Sequence, residues 1–182
     1  MKKAFLILFS VISISALAQD LEKSPKRLTF EMGYTGIRKS NFTDISKTGF
    51  AFAFDYGWQV SGFKKKPAAF ISFPIGYTAI PPIKTGTKNY GISYYGVHIT
   101  HELKRDQKII PFIGYSLLFN QVIKQDTDGR VIGHETRFDG GAKFGKRFFA
   151  KAEYAIASYP ALGQKITSKI GTWGLKVGVR IR

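Results

Sequence analysis

The sequence predicts an all-β chain, an eight-stranded antiparallel up-and-down barrel that crosses a membrane with its strands. First, Phe50, Phe52, Phe54, Tyr56, Trp58 and Val60 alternate strictly with Ala51, Ala53, Asp55, Gly57 and Gln59. One face of that strand is large and aromatic, the other small and partly charged. Second, seven more segments of about 10 residues or longer alternate in the same way, the length a tilted membrane strand needs. Third, no apolar run after residue 18 approaches the roughly 20 residues of a transmembrane helix. A soluble sandwich also alternates, so size has to decide. The interior of a narrow barrel takes small or polar side chains rather than five consecutive rings, whereas lipid accepts them and aromatic girdles line its interfaces.

Taken in order, the chain begins with the positive Met1-Lys2-Lys3, an apolar run from Ala4 to Ile14 and the small residues Ala16 and Ala18. That is the pattern of a secretory signal, residues 1–18, with cleavage before Gln19. Residues 19–26 follow as an N-terminal periplasmic segment, and the barrel occupies 27–182.

Strand one, 27–38, sets Leu28, Phe30, Met32 and Tyr34 against Thr29, Glu31, Gly33 and Thr35. Strand two is the aromatic one. In strand three, 69–79, Ile71, Phe73, Ile75 and Tyr77 oppose Ser72, Pro74, Gly76 and Thr78; proline cannot donate to a ladder, so a bulge or local break is expected at Pro74. Strand four, 89–103, changes phase between Tyr90-Ile92-Tyr94 and Tyr95-Val97-Ile99, which predicts a bulge near Tyr94-Tyr95. Strand five, 109–123, puts Ile113, Tyr115, Leu117 and Phe119 outward, although Phe112 and Leu118 fall on the other face.

Strand six, 134–145, sets Phe138, Ala142 and Phe144 against Arg137, Asp139, Gly141 and Lys143. Strand seven, 148–158, sets Phe148, Ala150, Ala152, Tyr154 and Ile156 against Lys151, Glu153, Ala155 and Ala157. In strand eight, 169–182, Trp173, Leu175, Val177, Val179 and Ile181 oppose Thr172, Gly174, Lys176, Gly178 and Arg180. Compact basic links at 61–67, 104–108 and 146–147 alternate with longer ones at 39–47, 80–88, 124–133 and 160–167. Short periplasmic turns and longer external loops are the asymmetry expected of such barrels, with both termini on the periplasmic side.

Composition narrows the function classes. The formal charge is +16, and removal of Lys2 and Lys3 with the signal leaves +14. Export argues against a nucleic-acid partner, and an anionic lipid surface attracts the same lysines and arginines. There is no cysteine, which excludes a lipid-anchored lipoprotein and a disulfide scaffold.

With this architecture the chain resembles the small eight-stranded outer-membrane barrels, the group of OmpX and the OmpA transmembrane domain. The best local match is Gly174-Leu175-Lys176-Val177-Gly178-Val179, similar to the C-terminal assembly signal of outer-membrane proteins. That family closes on an aromatic residue, whereas this chain ends Ile181-Arg182, and no peptidoglycan-binding domain follows the barrel. The resemblance implies an outer-membrane location and contact with outer-membrane lipids and lipopolysaccharide, with room for a protein partner. It implies a non-catalytic structural, envelope-integrity or surface-interaction role, with no cofactor and no metal.

The alternative is a lipid-modifying outer-membrane enzyme. His98, His101 and Glu102 invite it, but His98, Thr100 and Glu102 share the inner face while His101 faces outward, so they cannot hold one ion together. A resemblance to lipid A deacylases would demand His, Ser and an acid on the lipid-facing surface, and His98-Ile99-Thr100 has threonine in place of serine. A resemblance to lipid A palmitoyltransferases would demand His, Asp and Ser near the external rim. No residue is therefore assigned to catalysis, cofactor or metal. The inward set Glu31, Asp55, Arg137, Asp139, Lys143, Lys151, Glu153, Lys176 and Arg180 reads as a lumen packed with paired charges rather than an ion path. Asp126-Thr127-Asp128-Gly129 reads as a hairpin tip, lacking the third acidic position and distal Glu of a calcium loop. Lys64-Lys65-Lys66 and Lys104-Arg105 read as turn tips near lipid headgroups.

Overall fold

The computed structural model describes residues 26–40, 47–61, 67–81, 90–103, 108–124, 130–145, 147–160 and 167–181. Alternation of large apolar and small or polar residues makes eight strands: β1 (Lys26–Ser40), β2 (Thr48–Gln59), β3 (Ala68–Ile80), β4 (Tyr90–Glu102), β5 (Ile109–Lys124), β6 (Arg130–Phe144), β7 (Phe148–Pro160) and β8 (Thr167–Arg180). Each pairs antiparallel with the next, and β1 pairs with β8 from Thr29↔Arg180 to Ser40↔Ile170, closing the barrel. Closure is what lipid demands, because an open edge would leave backbone N–H and C=O groups without partners.

The faces fall as the alternation predicts. Along β2, Phe54 is 50% exposed and its neighbour Ala53 is 0% exposed. Outward rings meet across strands, as Phe30 does Phe54 at 5.0 Å and Trp58 does Phe73 at 5.8 Å. An apolar, ring-rich outside around a polar inside is a transmembrane β-barrel.

Strand four departs from expectation. β4 carries no bulge: its pairing with β5 runs unbroken from Tyr90↔Lys124 to Glu102↔Phe112. The phase change instead divides two faces, with Tyr90, Ile92 and Tyr94 buried inside and Tyr95 on the lipid side. At Pro74 the ladder to β4 lapses between Ser72↔His98 and Ile75↔Tyr95 without changing register, the local break expected there. Among the described residues the register shifts between Ile37 and Lys39, where β1 meets β8.

Link lengths are also more even than expected. The ladder continues to Ile123↔Arg130, which shortens the β5–β6 link to 125–129. The links at the end carrying both termini are 60–67, 103–108 and 145–147, against 41–47, 81–89, 125–129 and 161–166 at the far end. The two sets overlap in length, so the asymmetry does not distinguish the ends. Cleavage before Gln19, the Asp126–Gly129 tip and the clusters Lys64–Lys66 and Lys104-Arg105 lie outside the described residues.

Candidate functional site in the barrel lumen

Every predicted inward charge is inside, and tertiary structure sorts them by depth. At mid-depth Glu31 accepts from Lys151 at 2.7 Å and Lys176 at 3.2 Å. Lys176 also reaches Glu153 at 2.9 Å, and Glu153 faces Arg137 at 3.5 Å. Arg137 then pairs with Glu135 at 2.6 Å, and Glu135 accepts from Asn120 Nδ2 at 2.7 Å. The chain crosses from β1 to β5 through β8, β7 and β6. Each member satisfies a neighbour, the condition under which buried charges are tolerated.

His98 joins a second cluster. Its Nε2 is 3.0 Å from Asp139 Oδ2 and its Nδ1 is 3.6 Å from Asp55 Oδ2. Ser72 Oγ donates to Asp55 at 2.9 Å, and Arg27 donates to Thr100 Oγ1 at 3.1 Å. With a carboxylate facing each ring nitrogen, His98 has no nitrogen open to accept a proton from a nucleophile. A Cβ at Gly114 would crowd both His98 and Asp139, so glycine makes room for the pair. Glu102 shares the inner face but turns to Lys143 and to Arg180, the latter at 3.6 Å. His101 faces outward and is exposed. No group of three or more His, Asp or Glu side chains among the described residues is arranged to hold a metal ion.

Phe112 and Leu118 lie inside as the alternation of strand five places them, but the other large apolar residues inside are what the alternation left out. At the far end Ile80, Tyr90, Ile92, Val122, Tyr159 and Ile170 form a buried cluster. Below it Tyr94 packs with Ala53 and Leu118, and Arg137 lies 4.4 Å over the Tyr94 ring. Glycines make the space. Gly76 is paired with Tyr94 and Gly178 with Phe149, and a Cβ at either would overlap the partner's ring. A glycine directly opposite an aromatic residue is the signal that could have placed these rings inside.

At the end carrying both termini the lumen widens into a chamber of about 580 Å³, bordered by Arg27, Glu102, Phe112, Lys143 and Arg180 and reaching the exposed Arg147 and Ile181.

No protein-family model matches the chain, and no curated protein sequence matches it significantly. Solved structures do match its shape. Neisserial surface protein A superposes with a TM-score of 0.57 at 15% identity, over 85% of this chain and 95% of that one. Ail, the attachment invasion locus protein of Yersinia pestis solved with the heparin analogue sucrose octasulfate, superposes with a TM-score of 0.51 at 15% identity, over 86% and 99%. The chain has the fold of the small outer-membrane barrels. The outer-membrane enzyme PagL shares that fold, with a TM-score of 0.52 at 13% identity over 84% of this chain and 98% of that one. The barrel shape is therefore common to surface proteins and to an enzyme, and function has to be argued from residues.

Proposed function

We propose that the protein is a non-catalytic outer-membrane barrel with a structural, envelope-integrity or surface-interaction role. The observation that carries this is the lumen: paired charges from four strands, tied to a fifth through Asn120, lie beneath an apolar plug, so the interior braces the wall. The likeness to Neisserial surface protein A and Ail supports outer-membrane residence after export. The positive charge suits lipopolysaccharide and other anionic lipids. Ail was solved with a sulfated ligand, which supports a surface-interaction role here. Both termini face the periplasm in this reading.

Mass spectrometry of outer-membrane lipids from cells with and without the protein tests it. An unchanged acyl pattern, with the protein confirmed in the outer membrane, is expected.

A lipid-modifying enzyme is the second reading, and one observation favours it. On the outer face near the far end, His134 stands directly across from Ser158, a base and a hydroxyl on the lipid side. A changed acyl pattern restored by the native chain, but not by His134→Ala or Ser158→Ala, would replace the first reading with this one.

A further inference from the structure

We propose that the chamber at the terminal end of the lumen is a binding site for a small organic phosphate. Its volume of about 580 Å³ lies within the roughly 300–1,000 Å³ usual for small-molecule sites. Five cationic side chains line it against three carboxylates. The imbalance is concentrated at one place. Arg27, Lys143 and Arg180 lie 4.4, 5.1 and 5.9 Å from the centroid of the Phe70 ring. Glu102 is the carboxylate that both Lys143 and Arg180 reach, and Asp55 Oδ2 lies 3.8 Å from Arg27 Nη2, so three cations face two carboxylates there.

Arg27 is only 5% exposed, and its Nε has no hydrogen-bond acceptor among the described residues. Like charges held this close repel unless an anion joins them, and a buried N–H without an acceptor is costly to keep. A dianion answers both demands. Two guanidinium forks and an ammonium match the oxygens of a phosphate monoester better than a single carboxylate, which offers fewer acceptors. The organic part has its own surface, because Ile110, Phe112 and Phe149 line the same chamber and the two rings meet edge-on at 6.3 Å.

Access is from the terminal end, past Arg147 and Ile181; the apolar cluster of Ile92, Val122, Tyr159 and Ile170 closes the other end. The site rests on the structural reading only for the side of the membrane it faces. Its chemistry stands whether or not the barrel alters lipids.

Isothermal titration calorimetry of the full mature chain in a nonionic maltoside tests the proposal, with phenyl phosphate, inorganic phosphate, benzoate and benzyl alcohol as probes. Phenyl phosphate should bind one per barrel, at least about tenfold tighter than inorganic phosphate or benzoate, which is about 1.4 kcal/mol. Benzyl alcohol should give no binding heat. Lys143→Gln combined with Arg180→Gln should weaken phenyl phosphate at least about tenfold, with an unchanged strand circular-dichroism signal. Native-strength binding by that folded variant, or no binding of phenyl phosphate by the native chain, would overturn the assignment. Benzoate binding as tightly would make it a general anion site instead. Methyl NMR of the native chain gives the answer without a variant: Ile110 and Ile181 should shift on titration while Ile92 and Ile170 stay. Shifts confined to the latter pair would also sink it.

Discussion

The two ends of the lumen are built by the same eight strands, yet they are filled in opposite ways. At the far end Ile80, Tyr90, Ile92, Val122, Tyr159 and Ile170 pack against one another. At the terminal end Arg27, Lys143, Arg180 and Glu102 surround a chamber of about 580 Å³. Strand periodicity decides which residues face inward, and the same inward position can serve as plug or as lining. An apolar fill contracts to close packing and excludes water. Charges hold one another at hydrogen-bond distance and keep their space. The mid-depth network of Glu31, Lys151, Lys176, Glu153 and Arg137 separates the two regimes.

The boundary is the place where the contrast breaks most easily. Glu31→Ala leaves Lys151 and Lys176 to share Glu153, at 3.8 and 2.9 Å, without the nearer carboxylate of Lys151, an expected loss of about 3–5 kcal/mol. Urea titration of folding into lipid vesicles measures it, and a loss below about 1 kcal/mol would mean that water replaces the carboxylate.

The plug is next. Ile92→Ala should cost about 2–5 kcal/mol because its surroundings are closely packed. Ile110→Ala, beside the existing chamber, should fall at or below the bottom of that range. Equal losses at the two ends would remove the distinction between packed and open. Truncating the plug further, with Tyr159→Ala added to Ile92→Ala, should turn a silent barrel in planar bilayers into a conducting one.

Smaller effects sharpen the picture. Gly76→Ala should cost about 1–3 kcal/mol by pressing on Tyr94, and Tyr94→Leu in the same chain should recover part of it. A double-mutant cycle in the same urea assay reads the coupling, and purely additive losses would show that Tyr94 does not occupy the space above Gly76. Smallest is Phe70→Leu, which keeps the apolar bulk and removes the ring beneath three cations. About 0.5–2 kcal/mol is expected, lost most clearly at low salt.

Sequence reading worked best where one physical rule acted alone. Along β2 the rings and the small residues alternate without exception, and each side lies where lipid and lumen require. It failed where two rules competed. In β4, Tyr90, Ile92 and Tyr94 look like lipid-facing residues, and only the unbroken pairing with β5 shows them pointing inward. The partner that admits Tyr94 is Gly76 on β3, so a scan of one strand at a time cannot find it. His98 and Glu102 were placed on the right face, but their separate partners come from β2, β6 and β8. His134 and Ser158 lie on two strands and become neighbours only through the β6–β7 register.

Period-two alternation and strand length determined from the chain alone that this is a barrel of eight strands with its rings toward lipid. Those properties are local, because each residue's face follows from its neighbours along the strand. Tertiary structure alone decided which charges meet, that aromatic residues plug one end, and that a cationic chamber remains at the other. These depend on cross-strand register and on what stands opposite, quantities that closing the ring sets and that no single segment contains.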